Sequence, residues 1–371
     1  MSGKHLVLVG GGHAHLTLLA GLRAFTEKGH RVTLVSPSPY HYYSGMGPGM
    51  LSGIYEPEEI RFPVAKMAIE GGGLFLEDRV RRIDPLRKVL QLEGHGEIAY
   101  DAVSFNTGSD VPPITGGDGT ERVLPVKPIV NLYRARQWLM GAARGAKLRL
   151  FVLGGGAAGV EVAGNLHALL RRIGASAAIG LIAGREVLRG HPARVRRLAL
   201  ESLKRRGIEI REGTRVEAVR GEWLILSDGE KMRFDLAFSA LGVRPSEIFA
   251  DSGLPTGPDG GLLIDEYLKS VAYPEIFGGG DCISLAGRPL AKVGVYAVRE
   301  NPVLYANLKA VLNGEALVPF RPGGGYLLIL NMGDGKGILW RNGLVWSGRT
   351  AFLIKDCIDR RFMRRFRPSG G

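Results

Sequence analysis

Cysteine is nearly absent from this chain, which has only Cys282 and Cys357 among its 371 residues. Two cysteines so far apart form no CxxC pair, no zinc quartet and no disulfide framework. The sequence therefore predicts no metal site and a protein of a reducing compartment, the cytoplasm.

Long apolar runs are also lacking. No stretch reaches the roughly 18 consecutive apolar residues that a membrane span needs. The first apolar run, at 6–9, is followed by three glycines and is too short for a signal-peptide core. We therefore expect neither a transmembrane helix nor a secretory leader.

Acidic residues are in deficit, because 36 Asp and Glu stand against 49 Lys and Arg and leave a net charge of +13. Such a surface attracts anions, and the sign alone does not choose among nucleotides, acidic lipids and nucleic acid.

Glycine is abundant, with 55 residues in a chain that is 45% hydrophobic. This composition excludes collagen and disorder and indicates many close backbone approaches. The length predicts two or three domains.

A strand, glycine turn, helix and strand follow one another twice along the chain. The first copy lies at 6–9, 10–12, 13–25 and 31–35. The second copy lies at 148–153, 154–159, 157–173 and 177–182. Two such units this far apart predict two separate βαβ dinucleotide-binding domains.

The second glycine cluster has the complete dinucleotide fingerprint. Its first glycine permits a tight turn, its second lets the backbone approach a pyrophosphate, and its third lets the helix pack on the strand. Gly154, Gly156 and Gly159 occupy these places. The helix that follows offers free N–H groups to the anion. A glycine-rich turn of some other α/β protein is the competing interpretation.

The first glycine cluster departs from the fingerprint at its third position. Gly10 and Gly12 are in place, but His15 stands where a small residue belongs. A side chain there pushes the helix outward or turns toward the ligand, so we take His15 as a candidate cofactor contact.

Neither unit has the acidic residue that usually binds the adenosine ribose. Ser36 ends the second strand of the first unit, and Arg185 follows the corresponding strand of the second. We take Ser36 as a candidate contact of FAD and Arg185 as a candidate contact of the nicotinamide cofactor. Without a carboxylate to repel a 2′-phosphate, the second site is expected to accept NADPH as well as NADH. A solvated Arg185 that discriminates nothing is the alternative.

Further segments resemble a known flavoprotein family. DLAFSALGVRP at 235–245 and IFGGGDC at 276–282 resemble the pattern that closes the flavin site in two-domain flavoprotein reductases, and NTGS at 106–109 resembles their Ala-Thr-Gly turn. The resemblance is to the pyridine nucleotide-disulfide oxidoreductase superfamily, in its type II NADH dehydrogenase and sulfide:quinone reductase branch. The segments that narrow it to the flavoprotein fused to selenide, water dikinase are GGGHAH at 10–15, VKP at 126–128, KVGVYAVRENP at 292–302 and KDCIDRRFMRRF at 355–366.

This resemblance implies FAD in the first unit and NADH or NADPH in the second. It places Gly10 and Gly12 at the FAD pyrophosphate and Asp281 at the ribityl chain, where a carboxylate accepts from hydroxyl groups. The other implied contacts of FAD are Thr107, Gly108 and Gly280. The loop at 40–48 looks like the one that covers the other face of the flavin, with Pro48 as a candidate neighbour.

Two residues are candidates for the chemistry. Glu161 matches the glutamate of GxGxxGxE, which in the family lies near the nicotinamide and the flavin, and it is predicted to orient the nicotinamide or relay a proton. A helix predicted over 292–312 aims its positive end at the flavin pyrimidine edge, where Lys292 adds charge. The alternatives are a surface glutamate and a solvated lysine.

The cysteines and one motif bear on the electron acceptor. Disulfide and sulfide:quinone reductases need cysteine pairs beside the flavin, whereas Cys282 and Cys357 lie in separate elements and are expected to be packed structural residues. Direct flavin chemistry is therefore favoured. Quinone is not secured, because Val295 and Arg299 stand where the AQxAxQ motif of type II dehydrogenases has glutamines.

The tail at 349–367 is predicted to be a basic amphipathic helix with seven basic and two acidic side chains. Its apolar stripe, at spacings of three and four, consists of Ala351, Ile354, Ile358, Phe362 and Phe366. Such a helix is typical of an interfacial membrane anchor. Packing on the protein or a homodimer contact is the alternative.

The predicted fold is α/β, with two Rossmann-like dinucleotide-binding domains, one for FAD and one for NAD(P)H, and a small C-terminal β-meander with an amphipathic helix. The FAD domain is predicted at 1–115 and 255–320, the NAD(P)H domain at 116–254 and the C-terminal region at 321–371. The linkers at 111–128 and 255–261 are expected to form one hinge.

The predicted function is that of an FAD-dependent NAD(P)H oxidoreductase. Electrons leave the flavin to a small acceptor, a quinone, at the inner face of the cytoplasmic membrane. One alternative is a soluble selenium or sulfur acceptor. Another is a flavin redox sensor or a nucleic-acid-binding protein. The scattered basic residues, without an aromatic stacking platform, argue against a nucleic-acid partner.

Overall fold

The computed structural model describes residues 3–117, 120–142 and 147–367, so the predicted linker 111–128 lies partly outside the described residues. The strands are β1 (His5–Val9), β2 (Arg31–Ser36), β3 (His41–Tyr42), β4 (Arg61–Phe62), β5 (Leu74–Glu77), β6 (Val80–Asp84), β7 (Val89–Leu92), β8 (Glu97–Ala99), β9 (Ala102–Phe105), β10 (Val123–Pro125), β11 (Leu148–Leu153), β12 (Ala177–Ala183), β13 (Glu209–Glu212), β14 (Val216–Arg220), β15 (Trp223–Leu226), β16 (Lys231–Arg233), β17 (Leu236–Ser239), β18 (Leu262–Ile264), β19 (Ile276–Gly278), β20 (Ile283–Leu285), β21 (Leu328–Asn331), β22 (Gly337–Arg341) and β23 (Leu344–Gly348). The helices are α1 (Leu16–Ala20), α2 (Arg23–Thr26), α3 (Gly47–Ser52), α4 (Val64–Glu70), α5 (Val130–Ala142), α6 (Ala157–Arg172), α7 (Ala193–Lys204), α8 (Ile248–Asp251), α9 (Gly294–Asn313) and α10 (Arg349–Arg365).

The first sheet is parallel and has the strand order β19-β9-β1-β2-β5. All five residues of β1, in its centre, are buried. Strands of a parallel sheet are covered on both faces, which explains why β1 and β9 consist mainly of apolar residues. β19 pairs with β9, so the chain returns to this sheet after it has built the second one.

The second sheet is also parallel, with the order β10-β17-β11-β12-β13. β11 lies at its centre between β12 and β17. Two antiparallel three-stranded sheets, β6-β7-β8 and β14-β15-β16, accompany the parallel ones. The prediction of two Rossmann-like domains is confirmed, and the exact domain boundaries stay a prediction.

The helix predicted over 13–25 is broken. A 3₁₀ turn at His13–His15 precedes α1, and α2 follows after Gly21. A Cβ on Gly21 would lie 3.1 Å from the ring of Tyr305 on α9, so the close approach of α9 favours glycine where α1 ends. The helix predicted from Lys292 is continuous but begins at Gly294.

The C-terminal region consists of the antiparallel sheet β21-β22-β23 and α10. The predicted apolar stripe of α10 is partly wrong, because Ile354 and Ile358 are 45% and 46% exposed. The face of α10 that is buried carries Ala351, Lys355, Asp359, Met363 and Phe366. Within the described residues, no helix is long and apolar enough to cross a bilayer.

Candidate active site at the two glycine turns

The second glycine turn joins β11 to α6. Gly154 has φ +120°, and a Cβ there would lie 2.2 Å from the carbonyl oxygen of Ala240. A Cβ on Gly159 would lie 1.9 Å from the Gly154 carbonyl oxygen, so α6 packs directly on the turn. A Cβ on Gly156 would meet no heavy atom of the described chain within 4 Å. The turn therefore has open space at the glycine that the fingerprint assigns to the pyrophosphate.

The carboxyl ends of β12 and β17 flank this turn. Arg185 follows β12 and is exposed. Ser239, the last residue of β17, is 3% exposed, and its Oγ has no hydrogen-bond partner among the described residues. A buried hydroxyl without a partner, beside an open glycine turn, fits a bound dinucleotide that completes its hydrogen bonding.

The first glycine turn is held by Asn106, which the sequence analysis did not single out. A Cβ on Gly10 would lie 2.4 Å from the Asn106 carbonyl oxygen, and one on Gly12 would lie 2.3 Å from its Oδ1. Asn106 Oδ1 accepts the Ala14 N–H at 3.0 Å, and Nδ2 donates to the Gly279 carbonyl at 2.6 Å. The amide thus joins two glycine-rich segments. The feature of the sequence that could have identified Asn106 is its position directly after the buried strand β9.

His15 faces the first sheet. The side chain is fully buried, with Nδ1 2.6 Å from the Gly10 carbonyl oxygen and Nε2 2.8 Å from Ser104 Oγ. Burial lowers the pKa of His15 to about 4, so the ring is neutral. Both ring nitrogens are bonded within the protein, so the structure supports a positioning role for His15 within the turn. Its contact with the cofactor stays a prediction.

Asp281 forms an ion pair with Lys127. Its Oδ2 accepts from Lys127 Nζ at 2.7 Å and from Ser109 Oγ at 2.9 Å. The two charged side chains are only 13% and 25% exposed. Lys127 lies between β10 of the second sheet and α5. The ion pair therefore links the second sheet to the segment 276–282, which is predicted to close the FAD site. Lys127 lies in the VKP segment at 126–128, but its residue type and position in the sequence predict no role for it.

Gly280 lies beside Asp281 in a conformation with φ +79°. Its N–H donates to Glu300 on α9, and the Glu300 side chain is almost fully buried. Burial raises the pKa of Glu300 to about 7, although the hydrogen bond from the Gly280 N–H acts in the opposite direction and lowers it. Glu300 was missed because a single glutamate on a helix is usually a surface residue.

The remaining predicted FAD contacts are Thr107, Gly108, Ser36 and Pro48. Thr107 is exposed, and Gly108 has φ +74° with no heavy atom of the described chain within 4 Å of a Cβ. Ser36 ends β2 and is buried, and Pro48 is buried in α3. Their contacts with FAD stay predictions.

Lys292 is not a free charge. Its Nζ lies 2.7 Å from Asp259 Oδ2 and also donates to the carbonyl of Ile283. The side chain is 15% exposed. Lys292 is therefore ion-paired just before α9, and its role at the flavin edge stays a prediction.

Glu161 lies near the start of α6 and faces the C-terminal region. Its Oε1 accepts the Asn331 N–H at 2.7 Å. Burial raises the pKa of Glu161 to about 7, although the charge of Lys355 and this hydrogen bond lower it. A carboxyl group with such a pKa exchanges a proton readily near neutral pH.

The charges of a buried ion pair on α10, Lys355 and Asp359, affect the pKa of Glu161. Lys355 Nζ donates to Asp359 Oδ2 at 2.6 Å and to the Gly45 carbonyl at 2.7 Å, and the Tyr43 hydroxyl donates to Asp359 Oδ1 at 3.0 Å. Burial, followed by the charge of Asp359, raises the pKa of Tyr43 well above its usual value. This cluster, which we call the junction cluster (Glu161, Tyr43, Lys355 and Asp359), draws on both nucleotide-binding domains and on the tail.

The two cysteines differ in their surroundings. Cys282 is buried, with its Sγ 3.3 Å from the Gly279 carbonyl oxygen. Cys357 is exposed on α10. The expectation that both are packed is therefore wrong for Cys357.

Comparison with known proteins agrees with this geometry. The profile of the family described as pyridine nucleotide-disulphide oxidoreductase matches residues 4–301. The chain is 25% identical to a demethylphylloquinone reductase of Synechocystis sp. over 371 aligned residues, covering 95% of this chain and 90% of that protein. It is 24% identical to a type II NADH:quinone oxidoreductase of Staphylococcus aureus, covering 96% and 94%. The sulfide:quinone oxidoreductase structure of Aquifex aeolicus superposes with a TM-score of 0.79 at 18% identity, covering 98% and 92%.

These matches confirm the predictions of an FAD-dependent NAD(P)H oxidoreductase, with FAD and NAD(P)H as its cofactors. The residues present fit these cofactors, because a Cβ on Gly156 in the second turn, or on Gly108 next to the Ser109 that bonds Asp281, would meet no heavy atom of the described chain within 4 Å. The chain belongs to the pyridine nucleotide-disulphide oxidoreductase family.

Proposed function

We propose that this enzyme passes electrons from NADH or NADPH to a quinone. The observation that carries the proposal is the junction cluster, whose proton-exchanging Glu161 lies on α6, the helix that follows the second glycine turn. The names of the two bacterial relatives, which align over nearly their whole length, support a quinone as the acceptor.

Bound FAD would supply the chemistry of accepting hydride from the nicotinamide and passing electrons to an acceptor. Gly156 leaves room for the pyrophosphate of the nicotinamide cofactor, and Asn106 keeps the FAD turn in shape. Asp281 and Lys127 place a carboxylate and an ammonium together at the FAD segment. Glu161, with a pKa of about 7, holds a proton that the reduced acceptor needs.

Recognition of the quinone rests on residues other than the family's glutamines. Arg299 stands at one of those places, and its guanidinium donates to the carbonyls of Pro322, Gly324 and Gly325 at 2.6, 3.0 and 3.1 Å. Arg299 is thus a brace for the loop that precedes β21.

The tail supports a location at a membrane surface. Trp346, Leu353, Ile354 and Ile358 expose 54%, 61%, 45% and 46% of their side chains on one part of the C-terminal region. The exposed arginines of the same helix are Arg349, Arg361, Arg364 and Arg365. Exposed apolar and basic residues together are typical of a helix that lies on anionic lipid.

Stopped-flow kinetics test the proposed reaction. The FAD-loaded protein is reduced with NADH or NADPH and then reoxidised with a short-chain quinone, selenite or oxygen. We expect the quinone to reoxidise the flavin fastest. A protein that no quinone reoxidises faster than oxygen contradicts the proposal.

The second candidate function keeps the enzyme but makes its acceptor a soluble selenium or sulfur compound. It is favoured by the resemblance of the GGGHAH and KDCIDRRFMRRF segments to the selenide, water dikinase fusion partner. Rapid reoxidation by selenite, together with a protein that stays in the supernatant with anionic liposomes, distinguishes this candidate from the quinone reductase.

A further inference from the structure

A pair of histidines lies beside the first glycine turn and has no role in the reaction described above. His41 Nε2 is 3.0 Å from His13 Nδ1, and the rings meet edge to face with centroids 4.6 Å apart. His13 is 8% exposed, and its Nε2 is buried with no hydrogen-bond partner in residues 3–117, 120–142 and 147–367. Since buried polar atoms in folded proteins have partners, this nitrogen points to a bound molecule.

The position of His13 connects the FAD turn to the junction cluster. The residue directly follows Gly12, and its ring packs against Tyr43 at 5.3 Å and Phe362 at 5.9 Å between centroids. Burial, and then the charge of Lys127, lower the pKa of His13 to about 4. Burial also lowers the pKa of His41, and His13 and Lys127 lower it further. Both rings are therefore neutral, with one N–H donor and one acceptor nitrogen each.

We propose that His41 and His13 form a relay that carries a proton from solvent to the quinone as it is reduced. This inference rests on the proposed function. Reduction of a quinone by NAD(P)H consumes one hydride and one proton and yields NAD(P)⁺ and a quinol. The hydride supplies both electrons and one proton, which reaches one quinone oxygen through Glu161, so the proton of the other oxygen must come from solvent.

The relay moves that proton in three coupled transfers. In the tautomer with a protonated His13 Nε2, this N–H bond breaks as the O–H bond of the quinol forms. His13 Nδ1 then takes the proton of His41 Nε2, and His41 Nδ1 takes one from water. His41 is half-buried, which gives it access to solvent, whereas His13 reaches inward. The rings keep no net charge after the three transfers.

The kinetic test uses His13→Gln and His41→Gln in the FAD-loaded protein, with the surface substitution His95→Gln as the matched control. Reduction by NADH needs no proton from solvent, and reoxidation by ferricyanide takes up electrons alone. We expect both of these rates to stay near those of the wild type. Reoxidation by a short-chain quinone should slow by about 10²-fold, the size of a lost proton transfer. Added imidazole should restore much of this rate in His41→Gly.

A second measurement is independent of turnover. Hydrogen exchange at the His13 ring, followed by NMR of the oxidised protein labelled with ¹⁵N-histidine, should be slowed about tenfold or more by His41→Gln because the route to water is interrupted. Unchanged exchange overturns the relay.

The kinetic outcomes are equally decisive. Quinone reoxidation at the wild-type rate in His13→Gln overturns the relay and leaves the proposed function intact. Equal slowing with ferricyanide and quinone, or loss of FAD, also overturns it, because it marks the pair as a packing element. A wild-type protein that quinone does not reoxidise overturns the relay and the proposed function together.

Discussion

At the scale of single residues, burial sets the chemistry of the carboxyl groups. Glu161 and Glu300 are each buried enough to bring their pKa to about 7, whereas Asp281 is paired with Lys127 and Ser109. Two environments therefore give carboxyl groups two roles, one that exchanges protons and one that binds as an anion.

Glu161→Gln tests the first role. In the wild type the protonated fraction of Glu161 falls as the pH rises through about 7, so quinone reoxidation should slow over that range. Glutamine has no proton to give. The variant should be slower at pH 6 by roughly 10²-fold and show a flatter pH profile, with unchanged FAD content. Glu201→Gln, on the outer face of α7, serves as the control. Equal rates and equal pH profiles in all three proteins would reduce Glu161 to a structural residue.

Asp281→Ala tests the second role. The substitution removes the partner of Lys127 and the acceptor that is predicted to bind the ribityl hydroxyls. A hydrogen bond to a charged group contributes about 1.5–3 kcal/mol, so FAD should bind roughly 10- to 100-fold more weakly. The flavin-to-protein absorbance ratio after dialysis measures this, and circular dichroism confirms the fold. Asp228→Ala, in an exposed turn, should keep its flavin. If Asp281→Ala keeps a full complement of FAD, the predicted contact is wrong.

Single residues also show what the sequence could not predict. Glycines of the two turns were identifiable because their spacing is local. Asn106, Lys127 and Glu300 were not, since each acts on a partner that is distant in the chain, such as Lys127 on Asp281 across 154 residues. Local patterns predict backbone shape, whereas these contacts appear only when the sheets bring strand ends together.

At the scale of elements, the turn between β11 and α6 contains one glycine that is expected to matter for cofactor binding and another that is expected to matter for folding. A side chain at Gly156 enters open space, whereas one at Gly159 meets the Gly154 carbonyl at 1.9 Å. Gly156→Val should therefore keep its melting temperature but lose NADH binding, measured by calorimetric titration. Gly159→Val should lower the melting temperature itself. Loss of stability in Gly156→Val equal to that in Gly159→Val contradicts this division.

The buried pair Lys355 and Asp359 decides how α10 is held. Their side chains are 11% and 6% exposed. Removal of one partner leaves a buried charge uncompensated, so Asp359→Ala should lower the free energy of unfolding by about 3 kcal/mol or more. The double variant Lys355→Met/Asp359→Leu should recover much of this loss, because it leaves no charge behind. Urea denaturation measures both. A double variant that is less stable than Asp359→Ala contradicts the argument.

The tail also shows how the periodicity of apolar residues can predict the wrong buried face of a helix. The tail was correctly predicted as a helix, yet a spacing of three and four describes two neighbouring faces of α10. The buried face is the one that carries Lys355 and Asp359, whose polar atoms form hydrogen bonds with the Gly45 carbonyl and the Tyr43 hydroxyl. Ile354 and Ile358 lie on the other face and are exposed. Polar residues with partners supplied by another domain can line a buried face, and a hydrophobicity pattern does not see those partners.

At the scale of the whole molecule, the fold follows from a repeated unit. Each copy of the strand, glycine turn and helix builds a parallel sheet, and β19 returns the chain to the first one. This architecture was predictable from sequence because each unit is encoded locally. How the copies meet was not predictable, and it is there that Glu161, Tyr43 and α10 come together.

The proposed attachment to a membrane is also tested at the scale of the whole molecule. Removal of the tail is a poor test, since α10 is bonded to the FAD domain through Tyr43 and through Tyr55, whose hydroxyl donates to Asp356 at 2.7 Å. Substitutions on its exposed face are cleaner. Leu353→Ser/Ile358→Ser should weaken binding to acidic liposomes at every salt concentration, because both side chains expose apolar surface.

The charges of the same face should respond differently. Arg361→Gln/Arg364→Gln/Arg365→Gln should weaken liposome binding mainly at low salt, by on the order of 1 kcal/mol for each residue, because salt screens their attraction to the headgroups. Arg360 is left in place, since it pairs with Asp356 and Glu59. Sedimentation with liposomes measures binding, and NADH reduction of a soluble dye confirms an intact enzyme. If both sets of variants sediment like the wild type while dye reduction is unchanged, the face does not bind lipid, and a soluble acceptor becomes the better assignment.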